Sequence, residues 1–212
     1  MAGPPTDGHD RSAAATGLRR LQGVALSLLM ANDGTEAAER AFCRYREAAS
    51  MTDRMAALVA LAGASSPYRE TALADFLDRY RRLPEVVDKW FLVQAGSSRA
   101  DTLATVDALL DHPLFDRKNP NRLRSLLLGF GNNPVRFHDR DGRGYALLGA
   151  EVLAADRLNP QSAARLVQPL ARWRRMAEPW QALMRGALER VAAAPDLSPD
   201  LAEVVANALG NH

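Results

Sequence analysis

The segment FHDRDGRGY, residues 137–145, places a histidine, two aspartates, two glycines and two arginines within nine positions. A calcium loop of the EF-hand kind needs oxygen ligands at loop positions one, three and five, and a bidentate glutamate at position twelve. Counted from Asp139, the fifth position is Arg143 and the twelfth is Ala150. Because an arginine repels the ion and the strongest ligand is missing, the segment is not predicted to bind calcium.

Zinc requires clustered nitrogen or sulfur ligands, commonly two histidines one helical turn apart. The sequence has four histidines and one cysteine, and none is near another: His9, His112, His138, His212 and Cys43. We therefore predict no metal site and interpret residues 139–144 as a polar turn between helices, in which glycines permit positive φ and aspartates bond the local backbone. Cys43 is interpreted as a small buried hydrophobic residue.

Composition restricts the partners and the compartment. The 212 residues include 27 basic and 25 acidic side chains, mixed along the chain, so nucleic-acid binding by a concentrated basic surface is not predicted. A single cysteine excludes an intramolecular disulfide framework and fits a reducing, cytoplasmic location. No run approaches the roughly 18 apolar residues of a membrane span, so we predict no membrane partner.

Apolar residues recur at spacings of three and four almost everywhere, and no stretch alternates with period two. Proline opens helix after helix, as in Asn119-Pro120, Asn159-Pro160 and Ser198-Pro199. The pattern predicts an all-α fold of about eleven short helices in antiparallel pairs, arranged as an irregular armadillo- or HEAT-like α-solenoid. Residues 1–16 are small and polar and are predicted to be disordered, whereas residues 17–211 form the helical domain.

Known catalytic motifs are missing. The sequence contains no HExxH, no glycine-rich phosphate loop and no GxSxG. The residues by themselves therefore describe a helical scaffold without an active site.

Six runs nevertheless occur in a specific order and spacing: MTDRMAAL (51–58), LADFLDRY (73–80), DKWFLVQA (88–95), NPNRLRSL (119–126), NNPVRFHDRDGRGY (132–145) and NPQSAARLVQPL (159–170). Together they resemble the C-terminal helical domain of bacterial aminopeptidase N, a zinc metallopeptidase of the gluzincin class. Several of the runs are polar and do not follow from helix periodicity. In that family the zinc and the HExxH helix lie in a separate catalytic domain, over which the helical domain closes.

The resemblance implies a noncatalytic domain that caps the catalytic domain of an aminopeptidase N-type enzyme and shapes the access of peptide substrates. No cofactor is expected in this chain, and zinc belongs to the catalytic domain that it would accompany. The resemblance leaves open whether the chain is a truncated piece or acts with a catalytic part encoded elsewhere. The alternative function is a free-standing helical-repeat interaction module without peptidase activity.

The resemblance also implies site residues. The cavity-lining positions of the family fall on Gln161 and Arg165, which lie four residues apart and share one helix face. Arg165 would supply a fixed charge for a peptide carboxylate or carbonyl. Arg122 and Arg124 are further candidates for the same cavity, although a surface role or an ion pair with a neighbouring helix is an equal alternative.

The missing ligands and motifs generate a first prediction. We expect the isolated chain to bind neither zinc nor calcium stoichiometrically and not to hydrolyse an alanyl chromogenic substrate. Metal analysis of the purified chain and an assay in a host lacking its own aminopeptidases check this. One tightly held zinc per chain, or turnover above background, contradicts it.

Overall fold

Regular structure is helical throughout the part of the chain that the computed structural model describes, residues 12–32 and 34–210. The all-α prediction is confirmed. The chain divides into two compact units, one ending at Val93 and the other beginning at Gln94. None of the helices in the described residues is both long and apolar enough to cross a membrane.

The first unit consists of consecutive helices: α1 (Ala13–Asn32), α2 (Gly34–Glu47), α3 (Met51–Ala62), α4 (Pro67–Tyr80) and α5 (Pro84–Ala95), whose last two residues belong to the second unit. Helix α3 packs against α1, α2 and α4. Serine hydroxyls cap α3 and α4: Ser50 accepts the Asp53 N–H at 3.1 Å, and Ser66 accepts the Tyr68 N–H at 3.3 Å.

Two details of this unit differ from the sequence prediction. Helix α1 begins at Ala13, so residues 13–16 are helical rather than disordered, and residues 1–11 lie outside the described part. The hydroxyl of Ser12 accepts the Ala15 N–H at 3.2 Å and starts the helix in an alanine run of high helix propensity. Cys43 is exposed rather than buried, because it lies on the side of α2 opposite its buried stripe.

The second unit continues with α6 (Thr102–Leu110), α7 (Pro120–Leu123), a π-helical turn (Arg124–Leu128), α8 (Gly129–Gly131), α9 (Arg143–Asp156), α10 (Pro160–Leu166), α11 (Gln168–Ala171), a 3₁₀ turn (Trp173–Arg175), α12 (Trp180–Ala192) and α13 (Pro199–Leu209). The segments from α7 to α8 and from α10 to the 3₁₀ turn are each one nearly continuous helical run. Pro169 cannot donate a backbone hydrogen bond and accounts for the break between α10 and α11.

A structural repeat relates these two runs. Asn119 and Asn159 lie 40 positions apart and each precedes a proline. Both side chains cap their helices, with Asn119 accepting the Asn121 N–H at 3.0 Å and Asn159 accepting the Ser162 N–H at 3.0 Å. Four buried positions in each run are also 40 apart: Leu123 with Ala163, Leu126 with Leu166, Leu127 with Val167, and Phe130 with Leu170. This spacing matches the length of an armadillo or HEAT repeat.

The repeat produces two layers in the second unit. In one layer α10 packs between α7 with its π turn on one side and α13 on the other. In the other layer α9 packs against α12, and both helices also contact the first layer. Equivalent faces of the successive Asn-Pro helices are therefore buried, and their opposite faces remain exposed.

The loop between α8 and α9 is attached to the end of α5 by Asn133, which is 3% exposed. Its amide nitrogen donates to the carbonyls of Ala95 at 3.0 Å and Ser97 at 2.8 Å. Its amide oxygen accepts the N–H groups of Val135 at 3.1 Å and Arg136 at 3.0 Å. One buried amide therefore satisfies four backbone groups from two segments of the chain.

We expect Asn133→Ala to lower the free energy of unfolding by about 3 kcal/mol, because backbone groups left without partners in a buried position cost about 1–3 kcal/mol each. Chemical denaturation monitored by circular dichroism measures the change. The exposed Asn207 provides the control, since Asn207→Ala should change stability by no more than about 0.5 kcal/mol. Equal effects of the two substitutions would show that the Asn133 bridge does not stabilise the loop.

Candidate functional site

Residues 137–142 form a turn that ends where α9 begins at Arg143, and charged groups bond within it. Asp141 accepts the backbone N–H of Arg143 at 3.0 Å and pairs with its guanidinium at 2.7 Å. Gly142 has φ +66° just before α9, a conformation that L side chains rarely adopt. No group of three or more potential metal-binding side chains was found in the described residues. The turn interpretation is confirmed for residues 139–142, whereas Arg143 and Gly144 belong to the first turn of α9.

The aromatic half of the segment is part of the core. Phe137 is fully buried between the rings of Phe130 and Tyr145. The imidazole Nδ1 of His138 lies 2.8 Å from the Tyr145 hydroxyl, and the Trp180 indole donates to the His138 carbonyl at 2.7 Å. Burial lowers the pKa of His138 and raises the pKa of Tyr145 to about 12. Both side chains are therefore neutral packing groups at pH 7 and are poorly suited to acid–base work.

Gln161 and Arg165 are both exposed on α10. Their four-residue spacing places them on one face, as the sequence predicted. The same exposed face continues past the break with Gln168 and Arg172. Sequence reasoning did not identify Arg172, although the spacing of four, three and four residues from Gln161 to Arg172 was visible in the sequence. We refer to Gln161, Arg165, Gln168 and Arg172 as the α10–α11 polar stripe.

Arg122 and Arg124 lie on opposite sides of their helical run. Residues two apart in a helix are separated by about 200°, so the two arginines cannot share a face. Arg124 is exposed and donates to the Asn121 amide oxygen at 3.1 Å. Arg122 is only 7% exposed. Since α10 packs against α7 and the π turn, the structure places Arg124 on a helical run next to the polar stripe and directs Arg122 into the interior.

The surroundings of Arg122 include His112. The imidazole Nδ1 of His112 accepts the Leu114 N–H at 3.1 Å, which requires that nitrogen to be unprotonated. Burial is the larger cause of the lowered pKa of His112, and the positive charge of Arg122 is the second. Arg122 is therefore an interior cation near a neutral histidine.

Comparison with known proteins identifies relatives of this chain. A family model described as "Domain of unknown function (DUF3458_C) ARM repeats" matches residues 4–210. Aminopeptidase N of Caulobacter vibrioides is 43% identical over 199 residues, which cover 93% of this chain and 23% of that protein. Aminopeptidase N of Escherichia coli is 42% identical over 167 residues, which cover 78% of this chain and 19% of that protein.

A solved aminopeptidase structure contains a region with the same fold as this chain. The crystal structure of Legionella pneumophila aminopeptidase A in complex with aspartic acid superposes with a TM-score of 0.88 and 28% sequence identity. The match covers 100% of this chain and 25% of that chain. This chain thus spans about a quarter or less of the length of the relatives it matches.

The interior position of Arg122 generates a prediction about His112. Removing the Arg122 charge should raise the pKa of His112 toward its ordinary value without restoring it, because burial remains as the larger cause. NMR titration of the His112 ring in Arg122→Gln measures this change. Arg124→Gln removes an exposed charge two residues away and should leave the His112 titration unchanged. An unaltered His112 pKa in Arg122→Gln would contradict the assigned proximity.

Proposed function

Because the chain belongs to the DUF3458_C family of ARM-repeat domains, we propose that it serves as the noncatalytic C-terminal helical domain of a zinc aminopeptidase. In this role it caps the catalytic domain and shapes the access of peptides to the active-site cavity. The observation that carries the proposal is the 43% identity to aminopeptidase N, which extends over 93% of this chain. Peptide-bond hydrolysis is assigned to the companion catalytic domain.

The side chains that the structure describes do not fit a zinc site. The described residues offer no cluster of histidine, cysteine or carboxylate ligands, and the two described histidines are each engaged in local packing. We therefore assign both the zinc ion and the hydrolysis of the peptide bond to the companion domain. What the chain contributes is shape and fixed charge at the cavity wall.

An unpartnered face of α1 supports the need for a companion polypeptide. Leu21, Val24 and Leu28 recur at helical spacing on one side of α1 and are 64%, 58% and 66% exposed. Contiguous apolar side chains on a surface commonly mark a protein interaction site. A domain that packs against the remainder of an aminopeptidase would cover such a face.

The polar stripe supports the second part of the proposal, the contact with peptide. Gln161 and Arg165 project from the exposed side of α10, which leaves their amide and guanidinium groups available to a ligand. We assign Gln161 to a hydrogen bond with peptide backbone and Arg165 to a carboxylate or carbonyl beyond the scissile bond. Arg124 is on the adjacent run and extends the same wall, whereas the buried Arg122 supports it from the interior.

Cytoplasmic location is part of this proposal and is supported by the single cysteine, which fits a reducing compartment. The alternative function is a free-standing helical-repeat module that binds another protein. The exposed face of α1 is compatible with that alternative as well, so the two functions must be separated by experiment.

A chimera tests the proposed function. This chain should replace the matching 199-residue region of Caulobacter aminopeptidase N, with a deletion of that region as the comparison. We expect the chimera to hydrolyse an alanyl chromogenic substrate and longer peptides, and the deletion to lose activity. A folded, zinc-loaded chimera that fails on both kinds of substrate would favour the free-standing module.

In the active chimera we expect Arg165→Ala to lower kcat/KM for peptides that extend past the scissile bond by about tenfold or more. A charge-assisted hydrogen bond in a cavity contributes about 1.5–3 kcal/mol, and about 1.4 kcal/mol corresponds to one decade. The measurement is kcat/KM for a pentapeptide and for a short chromogenic substrate, which should be affected less. Equal losses on both substrates would argue against a role of Arg165 in the cavity.

The control for this prediction is Arg40→Ala. Arg40 is exposed on α2 and pairs with Glu36, so its removal also deletes one surface positive charge. Its effect on either substrate should stay within about twofold, because exposed ion pairs contribute about 0–1 kcal/mol. Thermal unfolding of both variants should resemble that of the parent chimera.

A further inference from the structure

Two neighbouring helical runs of this chain contain no acidic residue. The chain as a whole carries 25 acidic and 27 basic side chains, yet residues 120–131 and 160–175 include no aspartate or glutamate. These segments carry six arginines: Arg122, Arg124, Arg165, Arg172, Arg174 and Arg175. Balanced charge over the whole sequence therefore conceals a local excess of positive charge on two packed runs.

Three exposed arginines of these runs, Arg124, Arg172 and Arg174, bond to neutral groups. Arg172 Nη1 donates to the Asn132 amide oxygen at 3.3 Å, and the Asn132 amide nitrogen donates to the Leu128 carbonyl at 2.8 Å. Asn132 is thereby oriented with its oxygen toward Arg172. A neutral acceptor of this kind positions a guanidinium without neutralising its charge.

Some exposed arginines elsewhere in the chain are paired differently. They form ion pairs with nearby carboxylates: Arg40 with Glu36, Arg79 with Asp75, Arg143 with Asp141, and Arg185 with Glu189. Arg172 and Arg124 instead bond to asparagines. Their charges are oriented by the protein and remain available to an external anion.

The distance between Arg165 and Arg172 along the α10–α11 polar stripe indicates which kind of anion would fit both arginines. Arg165 and Arg172 lie seven residues apart on one face, and at a rise of 1.5 Å per residue this separates their Cα atoms by about 10 Å. An extended peptide covers about 3.3 Å per residue, so three residues span the same distance. The intervening Gln168 is exposed and offers an amide to a peptide backbone between the two charges.

We propose that Arg172, positioned by Asn132, acts with Arg165 as a two-point binding surface for acidic peptides. The terminal carboxylate of the peptide would bind one guanidinium, and an acidic side chain about three residues earlier would bind the other. This inference rests on the proposed peptide contact of Arg165 and extends it to Arg172. It assigns a preference for peptides that carry negative charge near the carboxyl end.

Nucleic acid is the other class of anion that an arginine surface could bind, but this stripe lacks aromatic groups for stacking bases. The members of the stripe other than arginine are both glutamines. Trp173, next along the chain, is 9% exposed and donates its indole N–H to the Ala208 carbonyl at 3.0 Å. The stripe therefore favours hydrogen bonding to a peptide over the stacking that single-stranded nucleic acid requires.

The test uses the 212-residue chain itself and a fluorescein-labelled peptide, Ala-Ala-Glu-Ala-Ala-Glu with a free carboxyl end. Fluorescence anisotropy at low ionic strength measures the dissociation constant. We expect Arg172→Gln to weaken binding at least about fivefold and Arg172→Lys to restore part of the loss, since lysine keeps the charge but not the planar fork. The control Arg40→Gln removes the same net charge from α2 and should alter binding less than about twofold.

Several outcomes would overturn the inference: no saturable binding by the unmodified chain, equal weakening by Arg172→Gln and Arg40→Gln, or equal affinity for an uncharged Ala-Ala-Gln-Ala-Ala-Gln amide. Tighter binding of a labelled oligonucleotide than of the acidic peptide would also overturn it. Because this assay needs no catalytic domain, an inactive chimera would refute the proposed function without affecting the binding result. Conversely, an active chimera with no dependence of peptide binding on Arg172 would refute this inference alone.

Discussion

Burial of one apolar stripe on each Asn-Pro helix is the constraint on which the second unit depends. Four positions in residues 120–131 and their counterparts 40 positions later are all buried. Once these stripes are in the core, helix geometry leaves the opposite faces to solvent. The exposure of Gln161, Arg165 and Arg172 is thus a consequence of packing on the other side of the same helices.

Polar groups inside this unit stabilise the connections between helices. Asn133 forms hydrogen bonds with four backbone groups. The carboxylate of Asp156 accepts hydrogen bonds from the Ser198 N–H at 2.9 Å and from the Ser198 hydroxyl at 2.5 Å. Arg117 pairs with Glu151 through two nitrogen–oxygen distances of 3.0 and 3.1 Å. These bonds fix loops of the second unit to its helices.

The chemistry available to the chain follows from where its titratable groups lie. His112 and His138 are kept neutral by burial, and the carboxylates of the loop before α9 are committed to nearby arginines. The exposed face of α10 and α11 offers guanidinium and amide groups. Such groups bind and orient a ligand, and they do not transfer protons at neutral pH.

The sequence by itself determined the helical class, the starts of the proline-opened helices and the shared helix face of Gln161 and Arg165. These features depend on local physics: proline and asparagine fix the starts, and a four-residue spacing fixes a shared face. The 40-residue repeat was also present in the sequence, in the two Asn-Pro pairs and the apolar positions that follow them.

The tertiary structure alone decided which neighbours surround each side chain. Arg122 is buried near His112 while Arg124 is exposed, and Arg172 meets an asparagine 40 positions away. The two-residue spacing in the sequence places Arg122 and Arg124 on different helix faces, but it does not determine which face is buried. That depends on how α10 packs against α7 and the π turn, a contact between segments distant in the chain that no local pattern encodes.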